Sequence, residues 1–415
     1  MKATMKKLAC ILLATLMVAV SIPNESVTAK SKQNTFKKDG LVYAVISEDD
    51  NGSGEVSVIS VNDKADKELL STLIIPGEVK KNKKTYTVKK IESLAFSCRS
   101  GINLVVIDEG VEEIGDAAFY KCYDLSEVHI FRSVKKIGKH CFGGCSNLGS
   151  IVVNSENENF VSENGILYSK DKKILISAPG VAGDITVNKS VEVIGGGAFD
   201  SNIVISSVSL PSGVKKIEEG AFFGCTALKS VKLGKIETIG REAFAGSGLV
   251  SIIIPESVSY IEGNPFMFCS DLTDIEVKKN NKKYKTSKGF LMNESGKKLI
   301  SGSAAKNGDD IPSSVKTIGE FAFAGNNRLK KIVVPSGVKK INEGAFSYCT
   351  SLKKVRFLSR NTELILRSDE SYGVFFNTDY DLIVEVPYSE DGFKDGSIEK
   401  SIEENSPAGV DITTF

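Results

Sequence analysis

The amino-acid sequence predicts a solenoid, in which coils of about 23 residues stack so that their short parallel strands line one face. Two observations support this fold class: a repeated apolar pattern and its near-constant spacing. The pattern Val/Ile-x-x-Ile-x-x-x-Ala-Phe recurs nine times, and its phenylalanines are separated by 23, 23, 57, 23, 22, 22, 57 and 23 residues. They are Phe96, Phe119, Phe142, Phe199, Phe222, Phe244, Phe266, Phe323 and Phe346. One such unit cannot bury its apolar face alone, whereas stacked units bury theirs in a shared core.

A second pattern, Cys/Asn-x-x-Leu-x-x-Val-x-Ile/Leu, follows most of the phenylalanines and predicts the strands. In the copy that begins at Cys122, Val128 and Ile130 alternate, so both side chains point to the same side of a short strand. A proline or loop then ends the strand, and residues 134–142 carry the chain back along the other side. A period near 23 residues is that of a leucine-rich-repeat coil, so we predict a leucine-rich-repeat solenoid over residues 87–358.

The two gaps of 57 residues indicate one insertion that was duplicated together with the coils around it. Phe142 and Phe266 lie 124 residues apart, and so do Phe199 and Phe323. The same separation relates residues inside the gaps, namely Phe160 and Tyr284, Gly165 and Gly289, Leu167 and Leu291, and Leu175 and Leu299. A block of about five coils is therefore duplicated.

Each copy carries an insertion, near residues 154–180 and near residues 278–304. Residues 165–176 form two apolar runs around a polar turn, which predicts a β-hairpin. After the first insertion the strand pattern resumes with Ile185. The second copy has Asp309 at this place, where an inward apolar residue is expected, and the repeat pattern does not explain it.

The first residues predict secretion. Lys2, Lys6 and Lys7 precede an apolar run over residues 8–22, and small residues end the segment at Ala29, which is the order of a secretory signal peptide over residues 1–29. The run of 15 residues is too short to span a membrane, which takes about 20. We therefore expect a secreted or cell-surface protein that is not inserted in a membrane.

The ends of the solenoid need caps, because exposed terminal coils would leave strand edges and core open to water. Residues 30–86 hold alternating apolar stretches, as at 41–46 and 73–75, without the Ala-Phe signature. They predict an N-terminal β cap. Residues 359–415, where the repeat dissolves, predict a C-terminal cap and a polar tail.

The charge balance argues against a nucleic-acid partner. The chain has 53 Lys and Arg against 52 Asp and Glu, and without residues 1–29, which hold three lysines and Glu25, 50 basic and 51 acidic residues remain. A phosphate backbone favours a basic surface, which is lacking here on average.

The cysteines follow the repeat. Five of the seven beyond residue 29 stand three residues after a repeat phenylalanine, namely Cys122, Cys145, Cys225, Cys269 and Cys349. Other units have Asn, Ser or Arg at this place. Since Cys, Asn and Ser are small and can hydrogen-bond to the backbone at a tight bend, we predict buried free thiols. The alternative is a disulfide between neighbouring coils, as between Cys122 and Cys145.

Two stretches resemble metal sites but depart from them. His140, Cys141 and Cys145 lack the paired Cys-x-x-Cys knuckles of structural zinc, so we interpret His140 and the other histidine, His129, as surface residues. The loop that begins at Asp49 fits the first positions of a calcium loop, but its twelfth position is Ser60 instead of Glu. Strand-like stretches flank it, which predicts a hairpin turn. We expect no metal and no other cofactor.

Catalytic signatures are also lacking. A Ser or Cys nucleophile needs a neighbouring base, and neither histidine belongs to such a motif. The chain shows no Gly-rich phosphate loop after a strand. We predict that the protein is not an enzyme, with a hydrolase that uses an unmarked pair of carboxylates as the alternative.

The strands leave side chains that face away from the core, and these are the positions open to a partner. Inward positions hold almost solely Val, Ile and Leu, whereas outward positions vary in chemical type. Outward apolar residues tend to mark interaction sites, although β-branched residues also suit strands. About a dozen strands would make a face roughly 60 Å long, which suits a protein or polymer better than a small molecule. The candidate binding residues are Leu104, Val106, His129, Val152, Lys232, Ile253, Glu276, Val333 and Arg356.

The unit Leu-x-x-Val-x-Ile-Pro-x-x-Val-x-x-Ile-Gly-x-x-Ala-Phe-x-x-Cys resembles the BspA-type leucine-rich repeat, also called the Treponema pallidum type. Residues 329–349 follow it closely, with Asn342 in place of Gly, and the resemblance covers about residues 70–390. Proteins of this type are bacterial surface or secreted proteins implicated in adhesion to host matrix proteins or other cells. The resemblance implies an adhesin-like, non-catalytic binding protein with an extracellular partner. A structural spacer that projects one terminus is the alternative, and the oligomeric state stays open.

Overall fold

The computed structural model describes residues 34–49, 53–62, 71–180, 182–365, 373–390, 397–404, 406 and 410–415. The chain divides into two compact units: unit 1 comprises residues 1–205 and 220–227, and unit 2 comprises residues 206–219 and 228–415. Together they contain about 12 coils with parallel stacked strands, which confirms the predicted leucine-rich-repeat solenoid. The predicted signal peptide at residues 1–29 lies outside the described residues.

The first strands, all in unit 1, are β1 Thr35–Lys38, β2 Leu41–Glu48, β3 Ser53–Val61, β4 Thr72–Ile75, β5 Glu78–Lys81, β6 Lys84–Ile91, β7 Leu104–Ile107, β8 Glu113–Ile114, β9 Glu127–Ile130, β10 Lys136–Ile137, β11 Ser150–Val153, β12 Phe160–Glu163, β13 Ile166–Ser169, β14 Ile174–Ser177, β15 Gly183–Thr186 and β16 Val193–Ile194. The later elements are β17 Ile205–Ser209, β18 Lys216–Ile217, β19 Ser230–Lys232, β20 Thr238–Ile239, β21 Ser251–Ile254, β22 Tyr260–Ile261, β23 Asp274–Val277, β24 Tyr284–Ser287, β25 Phe290–Asn293, β26 Lys298–Ser301, β27 Thr317–Ile318, β28 Lys331–Val334, β29 Lys340–Ile341, β30 Lys354–Phe357, β31 Glu363–Leu364, β32 Ile383–Val386, helix α1 Ile398–Glu404 and β33 Asp411–Thr414.

In unit 1 the four-residue strands β11, β9, β7 and β4 form one parallel sheet in this order. Burial alternates along them: in β9, Val128 and Ile130 are buried while Glu127 and His129 are half-buried. The two-residue strands β8 and β10 continue a second parallel ladder from β6. Before these coils, β1, β2 and β3 pair antiparallel, within the residues that the sequence assigns to an N-terminal cap.

Unit 2 repeats this plan. Strand β17 pairs in parallel with β19, β21 with β23, and β28 with β30 and then β32 and β33. The short strands β18, β20 and β22 form a parallel ladder, and β27, β29 and β31 form another.

The repeat phenylalanines stack inside the coils. The ring centroids of Phe96 and Phe119 lie 5.1 Å apart and their planes differ by 11°, and in unit 2 Phe323 and Phe346 lie 4.9 Å apart with planes 12° apart. All nine rings are fully buried. Identical side chains at the same place in successive coils produce this stack, and each such pair adds about 0.5–1.5 kcal/mol beyond the burial of its area.

The cysteine position of the repeat satisfies the backbone of the bend. Cys122 Sγ donates a hydrogen bond to Phe96 O at 3.1 Å, and the other four repeat cysteines do the same to the phenylalanine carbonyl of a preceding coil at 3.0–3.1 Å. Where the repeat has Asn326, its Nδ2 donates to Gly302 O at 2.9 Å. The prediction of buried thiols that hydrogen-bond to the backbone is therefore confirmed for these five.

The thiols of Cys269 and Cys349 stay protonated, as this role requires. Desolvation raises the pKa of Cys269 to about 11 and that of Cys349 to about 12. Each of the seven cysteines in the described residues is a free thiol, and Cys98 is the exposed one among them.

Each insertion contains the predicted hairpin and one further strand. In unit 1, β12, β13 and β14 form an antiparallel sheet, and in unit 2 β24, β25 and β26 do the same. Strands β14 and β26 then pair in parallel with β16 and β27. The insertion therefore returns the chain to the ladder of short strands.

The coil plan continues beyond residue 358, where the repeat signature dissolves. Phe375 is stacked on Phe346, with centroids 5.5 Å apart and planes 8° apart. The pattern missed this tenth ring because a Val-Phe pair stands in place of Ala-Phe. Helix α1 buries Ile398 and Ile402, which lie four residues apart on one face and help to close this end of the core.

Candidate binding face

The nine candidate residues lie on strands at positions whose side chains point away from the core. Val152, Lys232, Ile253 and Glu276 are exposed, and the other five are half-buried. The alternation of each strand is the cause, because the intervening residues fill the coil interior.

The outward side chains of β4, β7, β9 and β11 form a surface that we call the unit 1 face. Strand register places Ile74, Val106, His129 and Val152 side by side in one row. Ile74 is 53% exposed and Val152 is 43% exposed. Neighbouring strands lie about 4.8 Å apart, so the row extends for roughly 14 Å.

A second row of the unit 1 face is mixed in character. It aligns Thr72, Leu104, Glu127 and Ser150. Glu127 Oε1 lies 2.7 Å from Nε2 of His129 in the first row. The unit 1 face therefore has aliphatic side chains that are interrupted by one Glu–His pair and flanked by hydroxyl groups.

Ile74 was missed as a surface residue because β4 falls within residues 30–86, which the sequence assigns to the N-terminal cap. The alternation at residues 73–75 indicates a strand there. Without an Ala-Phe signature nearby, however, the sequence gives no coil register that would place Ile74 beside Val106.

The outward residues of β21 and β23 in unit 2 are more polar. Ile253 is 47% exposed and is aligned with Glu276, whose carboxylate pairs with Lys278 Nζ at 2.8 Å. Its strand neighbour Ser251 is aligned with Asp274. Ile253 is therefore an exposed aliphatic residue among polar groups.

The candidate Arg356 is engaged by its own unit. Its guanidinium lies over the ring of Phe415, 3.7 Å from the centroid. Strand register also aligns it with Glu385, whose carboxylate is 2.7 Å from Lys354 Nζ. The guanidinium of Arg356, which the sequence predicts to be a binding group for a partner, is therefore engaged in contacts within the protein.

One histidine assignment was wrong. His129 points outward as expected, but His140 is not a surface residue, because its side chain is 11% exposed and its Nδ1 lies 2.7 Å from Oδ2 of the fully buried Asp200. The sequence could not show this contact, since the two residues are 60 positions apart. The ring therefore faces Asp200, and Cys141 beside it is a buried thiol whose pKa is raised by desolvation.

The calcium-like loop joins two antiparallel strands, β2 and β3. Asp49 Oδ1 accepts a hydrogen bond from Ser53 N at 2.8 Å, and Asp49 N donates to Ser53 O at 2.9 Å. These bonds are those of a hairpin turn, as the sequence predicts, while residues 50–52 of the loop lie outside the described residues. Among the residues that the structure describes, no three His, Cys, Asp or Glu side chains are grouped to hold a metal ion. The helices in that part of the chain are also too short and polar to cross a membrane.

The stacked coils, the alternating strands and the outward columns define a leucine-rich-repeat solenoid. A family model described as the BspA type leucine rich repeat region matches six copies over residues 78–170, 192–293 and 287–368. These segments cover more than half of the chain, which therefore belongs to the BspA-type leucine-rich-repeat family.

Solved structures with similar coils come from several bacteria. A leucine rich cell surface protein from Faecalibacterium prausnitzii is 20% identical, with 93% of this chain and 96% of that chain covered and a TM-score of 0.43. A leucine-rich repeat protein from Bacteroides ovatus is 24% identical, with 92% and 99% covered and a TM-score of 0.36. The pneumococcal vaccine antigen PcpA is 19% identical, with 92% and 99% covered and a TM-score of 0.39. Among curated protein sequences, none matches this chain.

Proposed function

We propose that this protein is a secreted or cell-surface binding protein without catalytic activity, and that it recognises a protein or polymer partner in an adhesin-like role. The observation that carries the proposal is the row on the unit 1 face in which Ile74, Val106 and Val152 are aliphatic and His129 lies between the last two. Export would rest on residues 1–29, and the partner would be an extracellular protein or a host surface.

The fold gives these aliphatic side chains no structural task. Their strand neighbours, such as Val105 and Ile151, already fill the interior of the coils. Ile74 and Val152 keep about half of their surface in water, where apolar area is unfavourable. Aliphatic area bordered by polar groups is also the composition of the central part of protein interfaces.

The test is a pair of charge insertions into the row. The variant Ile74→Glu/Val152→Glu should weaken binding by about tenfold or more, since a buried unpaired carboxylate is costly at an interface. Binding is measured by surface plasmon resonance on collagen, fibronectin and laminin, and by adhesion to cultured epithelial cells. The matched control, Ser230→Glu/Ser251→Glu, adds the same charges at exposed outward positions of β19 and β21.

Two outcomes would contradict the proposal. If the Ile74/Val152 variant is folded by circular dichroism and binds as tightly as the control, the unit 1 face is inert and a spacer role gains support. If the natural protein binds none of these surfaces, the adhesin-like role is wrong.

A further inference from the structure

Unit 2 contains a cavity of about 310 Å³ where the second insertion meets the sheet. It lies between the start of β23, the turn that joins β24 to β25, and residues 304–309. Seven of its ten lining residues are polar or charged. This cavity is separate from the unit 1 face, so an inference drawn from it does not rest on the function proposed above.

The first insertion has glycine at all three equivalent places, namely Gly149, Gly165 and Gly180. A Cβ added to Gly165 would lie 2.7 Å from Gly149 O, and one added to Gly180 would lie 2.1 Å from Leu148 O. Both distances are too short for a side chain, so in unit 1 the three backbone segments touch through their glycines.

In unit 2 two of these three glycines are replaced. The residues 124 positions later are Thr273, Gly289 and Ala304. The hairpin turn still packs on its neighbour at Gly289, where a Cβ would lie 2.7 Å from Ala304 O. Thr273 and Ala304 therefore carry side chains where unit 1 has glycines, and both residues line the cavity.

Asp309 lies at the rim of the cavity, and its local contacts explain why an aspartate stands where the repeat pattern predicts an apolar residue. In unit 1 its counterpart Ile185 belongs to β15 and is buried. In unit 2 the chain forms a turn instead, in which Asp309 Oδ2 accepts a hydrogen bond from Lys306 N at 2.7 Å and Asp309 N donates to Lys306 O at 3.0 Å. Asp309 therefore holds a turn at the rim and leaves the cavity without an isoleucine to fill it.

Arg328 braces the walls of the cavity from within the protein. Its guanidinium donates to Ser270 O at 2.6 Å and to Leu272 O at 2.5 Å, next to the wall at Thr273, and it also donates to Ser303 O, next to the wall at Ala304. A cation that bonds to carbonyls on both sides fixes the separation of the two walls before any ligand arrives.

The cavity presents free groups of both charges. Lys288 and Lys306 supply ammonium groups, Asp274 supplies a carboxylate, and Thr286 and Ser287 supply hydroxyl groups. Within the described residues, none of these five side chains forms a hydrogen bond or an ion pair. Isolated lysines on a convex surface are ordinarily just solvated, but here they surround a concave site together with hydroxyls and two acids, Asp274 and the turn residue Asp309.

We propose that this cavity binds an acidic monosaccharide, such as a uronic acid or a sialic acid, either free or as a unit of a glycan. A site near 300 Å³ is at the lower end for ligand pockets and fits one sugar ring. The ligand carboxylate pairs with Lys288 and Lys306, and its hydroxyl groups donate to Asp274 and bond with Thr286 and Ser287. A neutral sugar would leave both lysines unused, and a phosphate dianion would be repelled by Asp274.

Isothermal titration calorimetry on the full chain tests the proposal with glucuronic acid and N-acetylneuraminic acid, and with glucose and inorganic phosphate as comparators. At least one acid should bind about tenfold or more tightly than both comparators. Glucose lacks the carboxylate that forms charge-assisted hydrogen bonds with the two lysines, and phosphate lacks the sugar hydroxyl groups. The methyl glycoside of that acid then separates the sources: binding as tight as the free sugar identifies a glycan unit, and weaker binding identifies the free sugar.

The first insertion supplies the variant. Lys288→Asn/Lys306→Ala installs the residues found 124 positions earlier, Asn164 and Ala182, and should weaken binding of the acid about tenfold or more. The control Lys282→Ala/Lys297→Ala removes the same charge from exposed positions of the same insertion outside the cavity, and should leave affinity unchanged. If the first variant fails to fold, Asp274→Asn tests the same site with a smaller change.

Three results would overturn the proposal. They are the absence of binding of either acid at about 10 mM, equal binding of glucose or phosphate, and an equal loss of affinity in the control variant, which would indicate unspecific attraction.

Discussion

The two insertions occupy equivalent places in duplicated blocks, yet the coils on either side of them are tied together by different chemistry. In unit 1, His140 and Asp200 form a buried pair, with Nδ1 and Oδ2 2.7 Å apart. In unit 2 the same positions hold Asn264 and Ala324, and Asn264 Nδ2 donates to Phe321 O at 2.8 Å. Two residues that are 57 or more positions apart are thus joined by a hydrogen bond between two side chains in one copy and by a side chain-to-backbone hydrogen bond in the other.

The same comparison distinguishes the two insertions at the cavity. The first insertion has three glycines at this place, and the second keeps Gly289 but has the side chains of Thr273 and Ala304, which line the cavity. Each coil of a solenoid contacts its neighbours alone, so one insertion can change without disturbing the coils elsewhere. Duplication therefore provides a place in which new chemistry can arise while the Phe stacks and the Cys hydrogen bonds are kept.

The largest expected effect comes from breaking the buried pair in unit 1. Asp200→Ala should lower the free energy of unfolding by about 3 kcal/mol, because it removes a buried carboxylate that hydrogen-bonds to both His140 Nδ1 and Ser201 Oγ. Asn264→Ala in unit 2 should cost about 1 kcal/mol, since it removes neutral hydrogen bonds. Urea denaturation followed by circular dichroism measures both, because the chain contains no Trp.

A double variant sharpens this comparison. His140→Asn/Asp200→Ala gives unit 1 the residues of unit 2, and it should be more stable than Asp200→Ala because the amide of Asn can replace part of the lost hydrogen bonding, as Asn264 does in unit 2. Equal losses for Asp200→Ala and Asn264→Ala would show that the two kinds of hydrogen bond stabilise the two units alike.

An intermediate effect is expected at the brace of the cavity. Arg328→Val installs the residue that unit 1 has at Val204, and it removes donors from three carbonyl oxygens. The expected loss in the free energy of unfolding is about 2 kcal/mol. The control Val204→Ala truncates a side chain that is 46% exposed, so its cost should stay within about 0.5 kcal/mol. If the thermal unfolding curves of the two variants coincide, Arg328 does not stabilise the walls of the cavity.

The smallest effect concerns the hairpin turns and their response to acid. In the first insertion Asp171 accepts hydrogen bonds from Ser169 Oγ at 2.7 Å and from Lys173 N at 3.0 Å, and these bonds lower its pKa below the ordinary 3.8. Because the pKa in the folded state lies below that in the unfolded state, the turn is stabilised above pH 3.8 and loses this contribution as the pH falls through the folded value. Asn293 of the second insertion accepts from Lys298 N at 3.0 Å and does not titrate.

A nuclear magnetic resonance titration from about pH 5 to pH 2 distinguishes the two turns. The amide of Lys173 should shift with a midpoint below 3.8, and that of Lys298 should stay nearly constant. A midpoint at or above 3.8, or parallel shifts of both amides, would contradict the assignment.

Much of the fold could be predicted because the repeat is local. The spacing of Phe119 and its equivalents indicates the coil, the alternation of Val128 and Ile130 indicates which side faces inward, and the Cys position indicates the hydrogen bond at the bend. The tenth ring, Phe375, lacks the signature and was missed. Ile74 was missed for the same reason, so the candidate face was predicted without one of its most exposed aliphatic side chains.

What the sequence determined by itself is the side of the chain on which each residue of a coil lies, since a short period is readable from neighbours alone. The tertiary structure decided which distant residues meet: that His140 is held by Asp200, and that Asp309, Lys288 and Lys306 surround one cavity. These contacts depend on how an insertion leaves and rejoins the stack. No local periodicity encodes that path, because it is set by contacts between segments that are distant in the sequence.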